Sequence, residues 1–417
     1  MSRARSLSAG FVLSASLLLS MGLAETAQAK VTVSISCSSL GIEMELCRDG
    51  AQAWAKQTGN EVKLVSTPAD AQERLALYQS LLASKSDKVD IFQIDVVWPG
   101  ILANQFLDLN QFIEPAKLDG YFQTLIANNT VEGKLVGVPW FVDAGMLYYR
   151  KDLLDKYGLK APETWAELET AAKKVMEGEQ GIEGYVFQGK SYEGLVCNAL
   201  EWVVSNGGGG LLDNSGQATF NNPQAIAAID RAKTWIGTIT PQGVLGYDEE
   251  QARGAFQSGK AVFMRNWPYA WALVNAPDSP VKDKVGVVPL PKGDGEKAVH
   301  TGTLGGQSLA VSKYSAHPKE AVDLILYLTG AEEEKRRAVK GAFNPSLKSV
   351  YNEPELKNDA FFSTFSQVLS SVATRPATVA GKSYNQFSSQ FVRAVHATLQ
   401  GQSTAKDNFA NVRASWK

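Results

Sequence analysis

The sequence predicts an α/β protein with two lobes, and three observations support this fold class. Strand-like and helix-like segments alternate from residue 31 onward, beginning with the apolar and polar alternation of KVTVSIS. Such β-α-β-α-β alternation is typical of a parallel sheet with helices on its faces. The pattern then becomes mainly helical after about residue 142. Finally, a chain of 417 residues is longer than one hydrophobic core usually organises.

The elements follow in order along the chain. The first lobe is expected to contain a strand in KVTVSIS, a helix over about 43–57, a strand in NEVKLVST, a helix in DAQERLALYQSLLAS and a buried strand in VDIFQIDVV. In the second lobe, Thr164 and Glu167 stand at capping-box spacing at the start of a helix. Helices NALEWVVSN, NPQAIAAIDRAKTWIGTI and DEEQARGAFQSG and strands AVFMRN and VGVVPLP follow, and TLGGQSLAVS and HPKEAVDLILYLTG return to a strand and a helix.

Lobe boundaries follow from this order. The first lobe is predicted to comprise residues 30–141 plus about 304–345. The second is predicted to comprise 142–303 plus about 346–417, with a final helical part from about residue 352. A cleft between two such lobes is a favoured place for a small-molecule site.

The first 29 residues have the pattern of a cleaved signal peptide. Arg3 and Arg5 precede an uncharged apolar run, and the triplet Ala27-Gln28-Ala29 stands just before Lys30. An uncleaved membrane anchor is the alternative, and the apolar run is short for a spanning helix. We therefore expect a periplasmic protein that begins near Lys30.

Composition and histidine count narrow the class of function. The chain has 41 basic and 43 acidic residues, a balance that gives no electrostatic footprint for nucleic acid or an anionic membrane. The three histidines are far apart and form no zinc-site spacing, and the motifs of nucleotide-binding loops and hydrolases are absent from the sequence. We expect no metal, no cofactor and a neutral small-molecule partner.

Cysteines and carboxylates supply the next candidates. Cys37 and Cys47 stand ten residues apart and are expected to form a disulfide in an oxidising compartment, whereas Cys197 is expected to be a small buried residue. Asp95 and Asp143 each follow a predicted strand. Either can be a cap or turn residue, or a carboxylate that accepts hydrogen bonds from two sugar hydroxyls. A glycoside hydrolase that uses the pair as acid and base is a further hypothesis.

The run RNWPYAW places Trp267, Tyr269 and Trp271 around Pro268. Such rings either pack in a core or stack on the apolar face of a sugar, and composition alone leaves both open. Pro268 disfavours a regular strand or helix interior at this point, so at least one ring is expected at a turn that faces a cleft.

Several segments together carry a resemblance to a known family. They are DIFQIDVVWPG, VPWFVDAGMLYYRKDLL followed by PETW, YEGLVC, RNWPYAW and TLGGQSLAVS. The chain resembles the family 1 extracellular solute-binding proteins of ABC sugar importers, and the trehalose/maltose-binding branch in particular. The resemblance implies a two-lobed periplasmic-binding-protein fold (type II) that closes on an α-glucoside disaccharide. It implies trehalose first and maltose or sucrose next, a monomer, no enzymatic activity, and delivery to permease subunits in the inner membrane.

The resemblance also implies a set of ligand contacts. They are Glu43, Arg74, Asp95, Asp143, Trp267, Tyr269, Gly305, Gly306 and Arg375. Phe141 and Gln307 complete the eleven expected contacts, although relatives have Tyr and Trp at these two positions. The chain also departs from the family pattern at Ala69, where relatives have a Thr contact. Trp98 is expected to assist stacking, and Trp271 to pack inward. Because of the departures, another small glycoside such as glucosylglycerol stays an alternative, as does service to a sensor kinase or chemoreceptor.

Overall fold

Two β-sheets form the framework of the protein in the computed structural model, which describes Met1 and residues 30–416. The predicted signal peptide, residues 1–29, lies outside the described residues apart from Met1. The strands are β1 (Thr32–Ser38), β2 (Glu61–Thr67), β3 (Ile91–Asp95), β4 (Thr130–Val131), β5 (Lys134–Leu135), β6 (Val138–Ala144), β7 (Met146–Arg150), β8 (Glu183–Val186), β9 (Ala261–Asn266), β10 (Val285–Pro289) and β11 (Leu304–Val311).

Helices cover the faces of both sheets and fill the C-terminal part of the chain. The α-helices are α1 (Glu43–Thr58), α2 (Ala71–Ala83), α3 (Pro99–Leu102), α4 (Gln123–Asn128), α5 (Lys151–Lys156), α6 (Trp165–Gly178), α7 (Glu193–Ser205), α8 (Pro223–Trp235), α9 (Glu249–Gln257), α10 (Ala270–Val274), α11 (Pro318–Leu328), α12 (Ala331–Gly341), α13 (Pro354–Lys357), α14 (Ala360–Leu369), α15 (Ala377–Ala380), α16 (Tyr384–Leu399) and α17 (Ala405–Ser415). Short 3₁₀ helices cover Ala103–Gln105, Leu109–Gln111, Pro115–Leu118, Gln242–Gly246, Lys348–Asn352 and Gly381–Ser383. Within the described residues, no helix is long and apolar enough to cross a membrane.

The larger sheet has the strand order β2-β1-β3-β11-β6. β1 pairs in parallel with β2 and with β3, as the alternating sequence pattern predicts. β11 pairs antiparallel with both β3 and β6, so the sheet is mixed rather than wholly parallel. The second sheet has the order β10-β7-β9-β8. The predicted lobe boundaries stay a prediction, whereas the α/β class is confirmed.

Local sequence signals fix several helix starts. Thr164 and Glu167 form the predicted capping box at the start of α6, with the Thr164 hydroxyl accepting from the Glu167 backbone N–H. Asp70 caps α2 by accepting from two backbone N–H groups of the first turn. Cys37 in β1 and Cys47 in α1 are joined by a disulfide, with Cα atoms 6.4 Å apart. This bond ties α1 to the end of the strand that precedes it.

The chain passes between the sheets where two glycines meet. Gly145 separates β6 of the first sheet from β7 of the second, and the return from β10 to β11 passes through Gly302 and Thr303. Gly145 N donates to Thr303 O at 3.3 Å. A Cβ atom on Gly145 would lie 2.6 Å from Arg265 Nη2, and one on Gly302 would lie 3.0 Å from Gly145 N. At Gly145 and Gly302, the two crossings pack too closely to admit a side chain.

This packing predicts that Gly145→Ala destabilises the protein. Because the added methyl group meets the buried Arg265 guanidinium, we expect the free energy of unfolding to fall by about 1–3 kcal/mol in urea titrations. Gly254 in α9 is the matched control, since a Cβ there meets nothing within 4 Å. Gly254→Ala should be neutral or stabilise by about 0.5–1 kcal/mol through helix propensity. Equal stabilities for the two variants would contradict the packing argument.

Candidate functional site

Three neighbouring strands bring polar groups together at one end of the larger sheet. In the register of β11 with β3, Gln307 is paired with Asp95. In the register of β11 with β6, Gly305 is paired with Asp143. Gly306 has a φ of 121°, which an L side chain rarely adopts. The antiparallel β11 therefore places Asp95 and Asp143 on either side of a glycine-containing strand.

Helices and loops add charged groups at the same end. Glu43 is the first residue of α1, and Gln93 Nε2 donates to its Oε2 at 2.9 Å. Arg74 lies in α2, whose Asp70 cap precedes it, and its Nη1 donates to the Pro68 carbonyl at 2.9 Å. Both side chains are almost fully buried. The cap and the carbonyl contact hold Arg74 in place beside the strand ends.

These groups line one cavity. Residues from the larger sheet, from α1, α2, α7 and α9, and from the segments next to them contribute to its wall. The lining residues are Leu40, Glu43, Ala69, Ala71, Arg74, Asp95, Asp143, Tyr192, Glu193, Gly194, Cys197, Glu249, Trp267, Gly305, Gly306, Gln307 and Arg375. Nine of the eleven predicted contacts thus lie on the cavity, together with Ala69.

Arg375 connects carboxylates from two parts of the wall. Its Nη2 lies 3.1 Å from Asp95 Oδ1, and its Nη1 lies 2.9 Å from Glu193 Oε1. The hydroxyl groups of Tyr384 and Ser388 also donate to Glu193. Because Asp95 ends β3 and Glu193 begins α7, the guanidinium bridges the two sides of the cavity with charge-assisted hydrogen bonds.

Several buried polar atoms on the wall have no hydrogen-bond partner among the described residues. They are Asp143 Oδ1, Gln307 Oε1, Arg74 Nε and Arg375 Nε. Leaving such a group unpaired costs about 1–3 kcal/mol. A ligand with several hydroxyl groups fits this need, since each hydroxyl both donates and accepts.

Burial changes the protonation of the acidic wall. Desolvation, followed by the charge of Glu43, raises the pKa of the Asp143 carboxyl to about 8. Burial also raises the pKa of Glu43, although Arg74 opposes the shift, and burial raises the pKa of Glu249. With a pKa near 8, Asp143 is mainly protonated at neutral pH, and it can then donate as well as accept a hydrogen bond.

Trp267, together with Tyr192, is one of two aromatic residues on the wall among the described residues. Its ring stacks on Arg265, whose Cζ lies 3.9 Å from the ring centroid, and its Nε1 donates to Glu249 Oε1 at 3.4 Å. A Cβ on Gly305 would lie 2.9 Å from this ring and 3.3 Å from Asp143 Cβ. The glycine therefore allows the ring and the carboxyl to lie side by side.

Two predicted contacts do not lie on the cavity. Phe141 is buried and lies two residues before Asp143 on β6, where it pairs with Gln307 of β11. Its ring packs edge to face against the ring of Phe343, with the ring centroids 4.9 Å apart. Tyr269 is also buried, and its hydroxyl donates to Glu250 Oε1 at 2.7 Å. Core partners contact both rings in this structure, and a ligand contact for either residue stays a prediction.

The other two tryptophans of the sequence hypothesis also pack away from the cavity. Trp98 is buried against Tyr78, with ring centroids 5.7 Å apart, so the structure does not support the predicted stacking role. Trp271 stacks on Phe361 at 5.2 Å with an interplanar angle of 13°, as the inward-packing prediction requires. Only Trp267 of the RNWPYAW rings therefore lines the cavity.

Sequence reasoning missed the contribution of α7 and α9. Tyr192, Glu193 and Cys197 line the cavity from the start of α7, and Glu249 does so from the start of α9. The signal for the first three was the run YEGLVC, which served only as a family marker. Among the described residues, no group of three or more His, Cys, Asp or Glu side chains has the arrangement of a metal site.

Comparison with known proteins agrees with this architecture. The family model described as bacterial extracellular solute-binding protein matches residues 45–335. A probable ABC transporter-binding protein of Deinococcus radiodurans is 48% identical over 392 residues, which cover 92% of this chain and 93% of that protein.

Solved structures show the same fold. The maltose-bound T. maritima MalE3 has a TM-score of 0.88 at 39% identity, covering 93% of this chain and 99% of its own. The GacH receptor of Streptomyces glaucescens GLA.O has a TM-score of 0.82 at 23% identity, covering 93% and 98%. The predicted two-lobed periplasmic-binding-protein fold is thereby confirmed.

The raised pKa of Asp143 predicts a pH-dependent stability. Above pH 4 an unfolded Asp143 is ionised, whereas the folded carboxyl holds its proton up to about pH 8. The stabilisation from this group is therefore complete at low pH and is lost as the pH rises to about 8. In urea titrations of the ligand-free proteins, the free energy of unfolding should fall with rising pH less steeply for Asp143→Asn than for the wild type. The two slopes should differ by at most about 1.4 kcal/mol per pH unit.

Glu45→Gln provides the control for this experiment. Glu45 lies on α1 like Glu43 but is exposed. Its substitution should leave the slope of stability against pH equal to that of the wild type. If Asp143→Asn also runs parallel to the wild type between pH 4 and 8, the protonation argument is wrong.

Proposed function

This chain belongs to the bacterial extracellular solute-binding protein family, and we propose that its solute is an α-linked glucose disaccharide carried by an ABC importer. The family and the relatives are substrate-binding proteins, so the chain is not an enzyme. The hydrolase hypothesis for Asp95 and Asp143 is accordingly set aside. Membership of the family places the protein outside the cytoplasm, and the proposed compartment is the periplasm.

One observation carries the proposal: a ring and several charged groups face the same cavity. A pyranose has an apolar face of C–H groups and a rim of hydroxyls. Trp267 lines the cavity, and so do Glu43, Asp143, Arg74 and Arg375. The ring suits the apolar face, and the carboxyl and guanidinium groups suit the hydroxyl rim.

The comparison with a maltose-bound relative narrows the sugar. The maltose-bound structure supports an α-glucoside, and trehalose is the first candidate, with maltose and sucrose next. Gln307 offers an unpaired amide oxygen at the wall and therefore favours a hydroxyl-rich neighbour over an apolar one.

The proposed role in transport follows from the two-sided wall. A ligand that contacts Asp95 on β3 and Glu193 on α7 at once gains affinity only when the two sides are close together. Lobe closure is therefore driven by contacts that the open form does not make. The proposed partners are the permease subunits in the membrane, and the protein is proposed to act as a monomer.

Isothermal titration of the purified protein tests the solute. Trehalose, maltose, sucrose and glucosylglycerol are titrated in turn, with mannitol as a polyol that lacks a ring. At least one disaccharide should bind, with trehalose the tightest, and mannitol should release no binding heat. An absence of binding heat with all three disaccharides would overturn the proposal.

Two tryptophan substitutions separate the site from the core. Trp267→Ala should weaken disaccharide binding by more than about thirtyfold, because it removes the stacking surface. Trp271→Ala should leave the dissociation constant nearly unchanged and lower the free energy of unfolding by about 1–3 kcal/mol, since it removes the stack on Phe361. Calorimetry gives the affinities and urea titration the stabilities. Equal affinity losses in the two variants would contradict the assignment.

A further inference from the structure

A fully buried ion pair lies directly behind the stacking tryptophan. Glu201 and Arg265 are 1% and 0% exposed. Arg265 Nε donates to Glu201 Oε2 at 2.9 Å and Nη2 to Oε1 at 2.5 Å, so the pair is bidentate. The third nitrogen, Nη1, donates to Gln188 Oε1 at 3.1 Å. Neither Glu201 nor Arg265 lines the cavity.

The Arg265 guanidinium stacks on the ring of Trp267. Its Cζ lies 3.9 Å from the ring centroid, so one face of the indole is covered by a flat cation. The ring as a whole still lines the cavity. A planar guanidinium fixed by hydrogen bonds in its own plane can support a ring in this way, whereas a lysine ammonium cannot.

The carboxylate is in turn fixed by the chain crossings. Thr303 N donates to Glu201 Oε1 at 2.9 Å, and Thr303 Oγ1 donates to the Cys197 carbonyl at 2.8 Å. Gly145, in the other crossing, has no space for a Cβ beside the Arg265 guanidinium. The ion pair therefore contacts both segments that connect the sheets.

One face of α7 links this pair to the cavity. Glu193, Cys197 and Glu201 are spaced by four residues, so they lie along the same side of the helix. Glu193 and Cys197 line the cavity, and Glu201 lies one turn further on. The same helix thus reaches from the Arg375 bridge to the crossings.

We propose that the Glu201–Arg265 pair is a positioning element of the ligand site. It fixes the orientation of the Trp267 ring relative to the two segments that connect the sheets. The proposal rests on the function proposed above. Arg265 is a positioning residue, because it lies outside the cavity lining and stacks on the Trp267 ring. Ring orientation, and with it sugar affinity, depends on the plane of the guanidinium and not only on its charge.

A purely structural role for the pair makes a different prediction. Buried ion pairs are often replaceable by apolar groups at little cost in stability. A pair that only stabilises the fold would change affinity equally whether or not Trp267 is present. A pair that positions the ring would change affinity only while the ring is there.

A double-mutant cycle on trehalose binding tests the proposal. By calorimetry, Arg265→Lys should weaken binding about tenfold in the presence of Trp267. In a Trp267→Leu background, the same substitution should weaken binding by less than about twofold, since the stacked ring is already gone. Equal losses in both backgrounds, or unchanged affinity in a folded Arg265→Lys variant, would overturn the proposal.

Arg337 provides a matched control. It is 1% exposed and stacks on Trp140 at 3.8 Å, so Arg337→Lys makes the same chemical change beneath a different ring. In a double-mutant cycle with Trp267→Leu, the losses of trehalose affinity caused by the two substitutions should be additive. A coupling as large as that of Arg265 would show that any buried arginine affects the site, and the proposal would fail.

A measurement without ligand keeps the proposal distinct from the choice of sugar. The near-ultraviolet circular dichroism of the wild type minus that of Trp267→Leu gives the signature of the fixed ring. Arg265→Lys should lose this signature, and Arg337→Lys should retain it. Retention in Arg265→Lys would overturn the proposal. If the wild type binds none of the disaccharides, the proposed function fails while this measurement still decides the role of Arg265.

Glu201→Gln is measured in parallel in case Arg265→Lys does not fold. The amide keeps the shape of the carboxylate and its contact with Thr303 N but removes the charge. Trehalose affinity should fall about threefold with Trp267 present and stay within error in the Trp267→Leu background. Equal losses in both backgrounds would again overturn the proposal.

Discussion

The antiparallel insertion of β11 between β3 and β6 is the constraint on which the site depends. It pairs Gln307 with Asp95 and Gly305 with Asp143, although each pair is far apart in the sequence. Because the second sheet lies between β6 and β11 along the chain, this pairing also forces two crossings between the sheets. The close packing of Gly145 against the return crossing is a direct consequence. Trp267, the residue after β9 of the second sheet, lines the cavity.

The cavity is built at a cost to the stability of the fold. Burying a charged or polar group is unfavourable unless a partner satisfies it. Arg375 offsets part of this cost by bridging Asp95 and Glu193. Other groups, including the Asp143 carboxyl with its raised pKa, have no partner of opposite charge within hydrogen-bond distance. Such a wall is suited to a ligand that supplies hydroxyl groups, and functional sites commonly break the rules of core packing in this way.

Elements whose signals are local were predicted well. The strand AVFMRN is β9, Ala261–Asn266, and the helix expected over about 43–57 is α1, Glu43–Thr58. Periodicity and capping determine these elements, and both depend on neighbouring residues. The antiparallel direction of β11 was not predicted, because strand direction depends on where the chain returns from the second sheet.

The candidate site shows the same division. Asp95 and Asp143 were identified from their position at strand ends, where ligands bind in α/β sheets. The packing of Phe141 and Tyr269 away from the cavity was not predicted, since the side that a ring faces depends on partners such as Phe343 and Glu250, which the sequence pattern does not reveal. Glu249 was missed because the first turn of a helix commonly carries acidic residues without any ligand.

By itself, the sequence determined the fold class, the alternation of strands and helices and the family, because each of these depends on local patterns. Only the tertiary structure decided which rings and carboxyls share the cavity and that Arg265 supports Trp267 from behind. Those contacts join residues from separate elements, and their geometry is set by strand register and close packing, which no local pattern records.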